Sequence, residues 1–190
     1  MRRIHFWFFR VGGAALVGAL LVSAGCARNI QPPEGPPPPP ILKFSAFDAF
    51  EMTHVALDES YAGDESNVEA AKVIDELLIE CMAQELPKMT VVESVKDAVQ
   101  TGTKTLTIEP LVEKIKYKRA ELGFFAGHSK VLMKVTFKDK VSGEVMSAPE
   151  FYAHANAMGG SFSLGITDVY MLDRVAKNIC QYVRQYRFGG

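Results

Sequence analysis

Five consecutive prolines, Pro36 to Pro40, set the first limit on how this chain can fold. Each fixes its own φ near −65° and lacks an amide proton, so the run suits neither a helix interior nor a central strand. Gln31-Pro32-Pro33-Glu34-Gly35 precedes it. The stretch reads as an extended polyproline II spacer at about 3.1 Å per residue, giving Ala27 to Pro40 a reach of roughly 40 Å. The globular part is then expected over residues 41–190, its packed portion ending near Arg187. A ligand for a proline-binding module is the alternative reading of the same run.

Upstream, Arg2 and Arg3 open a positive start, an apolar run follows, and Leu21-Val22-Ser23-Ala24-Gly25 closes it directly before Cys26. Such a stretch has the form of a lipoprotein signal peptide over residues 1–25. A lipid-transferring enzyme must reach the Cys26 thiol and a peptidase must cut before it, which requires the small side chains of Ser23, Ala24 and Gly25. Leucine is usual where Ser23 stands. An uncleaved membrane helix is the alternative, but Val11 to Gly25 is shorter than the roughly 20 apolar residues that cross a bilayer. Acyl chains on Cys26 would make the lipid bilayer a partner, each buried methylene contributing about 0.8 kcal/mol. Ala27 follows the cysteine in place of the aspartate that commonly retains a lipoprotein at the inner membrane. The expected location is the outer membrane, facing the periplasm.

Cleavage before Cys26 would remove Arg2, Arg3 and Arg10 from 21 basic residues and leave the 22 acidic ones, a net charge of −4. A mildly acidic body argues against nucleic acid or anionic lipid as partners. With Cys26 acylated, Cys81 and Cys180 remain, an even pair in an oxidising compartment. They are either a disulfide or two separately buried thiols, since a bridge needs Cα atoms within about 7 Å and sequence alone does not place them.

Ile41-Leu42-Lys43-Phe44-Ser45-Ala46-Phe47 is apolar and aromatic enough for a strand, and a looser stretch runs on to Gly63. Ser66-Asn67-Val68-Glu69 has the form of a capping box. Behind it Ala70, Val73, Ile74, Leu77, Leu78, Cys81 and Met82 recur at helical spacing until Pro87 stops the helix. Met89 to Val92 suits a short buried strand, and Thr105 to Glu109 alternates, resuming loosely after Pro110. From Lys130, the residues Val131, Met133, Val135 and Phe137 take one face of a strand and Lys134, Thr136 and Lys138 the other. Asp139 to Glu144 is its hairpin turn, with a return strand from Val145 to about Ala157 that Pro149 interrupts or places at an edge. Thr167 caps a last helix with Val169, Leu172, Val175, Ala176, Ile179, Cys180 and Val183 inward. The fold class is α/β (α+β): one small domain, two main helices and a mixed sheet of about five strands.

Gly123-Phe124-Phe125-Ala126-Gly127-His128-Ser129 running into the Val131–Phe137 strand and the Asp139–Gly143 turn resembles the envelope lipoproteins of domain of unknown function 4410. The element order is also similar to curli-secretion lipoproteins and the TolB N-terminal region. The resemblance implies helices packed on a sheet of about five strands and carries no activity. Independently of it, Phe124 and Phe125 cannot both enter the core of one tight turn. They are a candidate partner contact, or a lid over the sheet's end.

Chemistry is otherwise sparse. Met158 to Gly165 is glycine-rich before a helix, but it lacks the lysine and Ser/Thr ending of a nucleotide loop and reads as a linker. His54, His128 and His154 have no ligand-like spacing, and Asp58, Glu59, Asp64 and Glu65 form no regular calcium loop. No catalytic residue, metal or cofactor is assigned, and the chain is expected not to be an enzyme. The leading expectation is a non-enzymatic module that binds other envelope proteins in assembly or trafficking. The alternatives are a self-assembling export component and a regulator of a cell-wall enzyme.

Overall fold

In a computed structural model the alternating run that follows Ser129 forms β5, Lys130–Asp139, with Val131, Met133, Val135 and Phe137 fully buried. The structure describes residues 30–94, 103–117, 129–155 and 166–188. Around β5 stand β1 (Ala49–Thr53), β2 (Ala56–Leu57), β3 (Met89–Val92), β4 (Thr105–Lys116), β6 (Val145–Ser147) and β7 (Glu150–His154). Two helices, α1 (Glu65–Glu85) and α2 (Ile166–Phe188), pack on one face of the sheet.

The sheet has seven strands in the order β3-β1-β4-β5-β6, with β2 also on β4 and β7 also on β5. Two lanes are therefore broken in two, so seven strands occupy the five positions that the sequence suggests. Parallel pairing joins β3, β1 and β4, and antiparallel pairing joins β4, β5, β6 and β7, which makes the sheet mixed.

Pro110 lies inside β4, a central strand, where a missing amide proton ordinarily breaks a ladder. The break in the neighbouring lane accommodates it. Lys104 and Val112 turn their carbonyls to the β1–β2 side, accepting from the amides of Asp48 at 2.8 Å and Asp58 at 3.0 Å, and Pro110 has the same parity. Its nitrogen therefore faces the interval between Thr53 and Ala56, where β1 has ended and β2 has not begun. Pro149 works similarly: it separates β6 from β7, and its carbonyl accepts from Val135 N at 3.1 Å.

Residues 41–47 depart from the expected strand. Phe44 to Ala46 is a 3-10 turn, and Phe44 and Phe47, three residues apart, both point into the core while Ile41 is 68% exposed. That spacing fits one side of a helical turn, whereas a strand would send the two rings to opposite faces. The first strand is instead β1, in the stretch expected to be loose, with Phe50 and Met52 buried between half-exposed neighbours. The α1 cap also differs: Asp64 accepts from Ser66 N at 2.9 Å, so the helix begins before the Ser66–Glu69 box. β3 is an edge strand with Thr90 and Val91 exposed, rather than a buried one. At the last helix, Thr167 falls inside α2, which already runs from Ile166, and Val169 is 53% exposed. The return strand ends at His154.

The hairpin turn forms where its residues predict. Asp139 accepts from the amides of Val141 at 2.9 Å and Ser142 at 3.0 Å, and Gly143 takes φ +72°. Those amides, Ser142's first, hold the Asp139 carboxyl below its usual range.

Candidate functional site

The proline-rich segment does not stand off from the domain. Ile30 is buried and its carbonyl accepts from Lys130 Nζ at 3.4 Å; at the other end Ile41 N donates to Met146 O at 2.8 Å. Between them Pro38 O accepts the hydroxyl of Tyr182 at 2.7 Å. With that proton committed, Ser147 Oγ donates to Tyr182 Oη at 2.7 Å. A chain of hydrogen bonds thus links β6, α2 and the prolines. The spacer expected from composition is, over residues 30–40, a strap. Prolines suit it because carbonyls remain to accept while no amide proton is left unpaired.

Tyr182 is the pivot of this seam. Its ring meets Phe44, Phe137 and Phe151 with centroids 6.0, 5.9 and 5.6 Å away, which fixes where the hydroxyl emerges. Burial pushes its pKa up to about 12, so it stays a proton donor.

The two helices are fastened at two places. Cys81 and Cys180 are brought together as a disulfide with Cα atoms 6.3 Å apart, within the span such a bond tolerates. One turn further along α1, Glu85 accepts from Arg184 Nε at 2.9 Å and from a second guanidinium nitrogen. The Arg184 guanidinium holds the Glu85 carboxyl below its ordinary range.

A groove of about 420 Å³ lies beside α1, lined by His54, Val55, Leu57, Ala62, Val68, Ala71, Lys72 and Asp75. His54 Nδ1 lies 2.7 Å from Asp75, whose other oxygen accepts Val55 N at 2.8 Å. That hydrogen bond and the carboxylate charge raise the His54 pKa. The two oxygens of Asp75 thus tie the β1–β2 link to α1.

The sheet face away from the helices is polar. Lys138 pairs with Glu109 at 2.5 Å and Lys140 with Glu51 at 2.8 Å, leaving Glu51 Oε2 and Thr107 Oγ1 buried without a partner. Asp58 accepts from Ser60 N and Asp64 from Ser66 N, so these two acids cap helical turns. Among the described residues no group of three or more His, Cys, Asp or Glu is placed to hold a metal, and no helix is long and apolar enough to cross a membrane. His154 stacks on Tyr152 at 5.6 Å on that polar face. Cys26, Phe124, Phe125, His128 and the Met158–Gly165 loop lie outside the described residues.

The domain is thus a two-helix, mixed-sheet α+β unit closed by an N-terminal strap. A similar fold is found in the hypothetical protein CT253 from Chlamydia trachomatis, at 11% identity and TM-score 0.50, covering 75% of this chain and 99% of that one. Other similar structures are the PelC dodecamer from Paraburkholderia phytofirmans (12% identity, TM-score 0.49, 76% and 93% covered) and a minor lipoprotein from Acinetobacter baumannii (10%, 0.40, 72% and 94%). At these identities the likeness is one of fold. No family model matches the chain, and the resemblance to domain of unknown function 4410 gains no support from one. No curated protein matches it.

Proposed function

We propose that the protein is a lipoprotein of the outer membrane, facing the periplasm, that acts as a non-enzymatic binding module for other envelope proteins. The observation that carries the reading is the N-terminal sequence: Arg2 and Arg3, an apolar run, and Ser23-Ala24-Gly25 before Cys26. Acylated Cys26 is its anchor and Ala27 its sorting residue. A strapped, disulfide-closed domain supports a role in which rigid surfaces meet a partner.

The test is extraction of the full-length protein from fractionated membranes, with mass analysis of its N-terminal peptide and native mass in mild detergent. An acylated Cys26 in the outer-membrane fraction, with a second protein retained in a defined complex, is expected. An unmodified N-terminus in the soluble fraction would refute the anchor. A large homo-oligomer with nothing else bound would replace the adaptor by a self-assembling component.

A further inference from the structure

The strap fixes how near the domain lies to its anchor, and this inference rests on the reading that Cys26 is acylated. Only Ala27, Arg28 and Asn29 separate Cys26 from Ile30, whose side chain is buried and whose carbonyl is held by Lys130. Four residue steps span at most about 14 Å even when fully extended. The reach from anchor to domain is therefore at most about a third of the roughly 40 Å that an unattached proline spacer would give. Ile30, from which that reach is counted, lies at the end of the domain where β5 begins.

That end is basic. Lys116 stands opposite Lys130, and Lys130 opposite His154, so one row across β4, β5 and β7 carries two lysines and a histidine on the polar face of the sheet. Arg174 of α2 reaches the same place, donating to His154 O at 3.3 Å. The nearby acid Asp173 is turned to Lys177 at 2.7 Å. Like charges directly opposite on adjacent strands are unfavourable unless something negative meets them. From the tether length and this row together we propose that the Lys116–Lys130–His154 end of the domain rests on the phosphates of lipid headgroups, so that the domain lies against the membrane and the Asp139–Glu144 hairpin points away.

The geometry gives a direct contrast. The ten-residue β5 is about 30 Å long at its rise per residue, so the two ends sit at different heights above the bilayer. The acylated full-length protein is placed in vesicles of phosphatidylethanolamine and phosphatidylglycerol, with a fluorophore at Tyr170→Cys, an exposed position one turn before Arg174, or at Ser142→Cys, and a headgroup-attached quencher. Quenching at position 170 and little at 142 is expected. Adding Lys116→Ala, which leaves the Lys130 contact with the strap in place, should shift the balance between resting and lifted domain about fivefold toward lifted, the weight of one basic residue near an anionic surface. Equal quenching at the two positions in an acylated, vesicle-bound protein would overturn the orientation while leaving the anchor intact. A chain that lacks acyl groups and stays in solution would overturn both.

Discussion

Breaking the Cys81–Cys180 bond should cost the domain about 3–4 kcal/mol without unfolding it. The bond joins residues 99 apart in sequence, and closing a loop of about 100 residues removes about 4.7 kcal/mol of unfolded-chain entropy in the polymer account. Measured bonds mostly give 2–4 kcal/mol, and here the two helices still pack through Ile74, Leu78, Leu172 and Ile179 when the bond is gone. A single domain commonly has 5–15 kcal/mol in hand, so the reduced protein should stay native in buffer. Urea unfolding with and without reductant is the assay, alongside the Cys81→Ala, Cys180→Ala double variant, which also removes the sulfurs' packing. Reduction should lower the midpoint and steepen the urea dependence, because an uncrosslinked unfolded chain exposes more surface. Two alkylatable thiols in the denatured, unreduced protein would refute the reasoning, as would transitions that coincide with and without reductant.

Tyr182→Phe keeps the aromatic cluster but deprives Pro38 O and Ser147 Oγ of their partner, and should cost about 1–2 kcal/mol, with faster proteolysis near Glu34 as the strap lifts. Gly143→Ala meets no atom within 4 Å yet must hold φ +72°, so chemical denaturation should show a loss of about 1–2 kcal/mol. The His54–Asp75 pair raises the histidine's pKa, so its contribution is complete below the ordinary value of 6.5 and lost as pH rises through the higher folded-state value. With His54 about half exposed the amount is about 0.2–1 kcal/mol, and His54→Gln should flatten the pH dependence of the melting temperature in that window. Glu85 has the opposite sign: its contribution is present above its ordinary value of 4.5 and lost as pH falls through the depressed one, a dependence that Glu85→Gln should remove.

Much of the sheet is legible in the sequence, for reasons that differ by element. β5 and its hairpin announce themselves because one face is buried and the turn needs Asp139 and Gly143 for its own hydrogen bonds and φ. The α1 stripe is equally plain, from Ala70 through Met82. β1 is harder to see: five residues with two buried side chains give little period, and the aromatic run before it outweighs them. The strap is invisible in composition, because five prolines look the same whether solvated or docked. Tyr182 is the one hint, a phenol within the buried stripe of α2, which requires a polar partner somewhere. Nothing local marks the His54–Asp75 contact, made across 21 residues. The Cys81–Cys180 pairing needed the helix packing before it was more than one of two readings.

The strap also sets an order of events. Pro38 belongs to the first part of the domain to be made, yet the hydroxyl that holds it is 144 residues further on, and the cysteine facing Cys81 is almost as late. While the chain is still emerging, neither clasp has anything to close upon. Contacts of this separation are costly to form before the intervening chain has been ordered. The clasps of the finished fold therefore wait for α2. A chain whose latch is written last is kept from fastening its first segment too early.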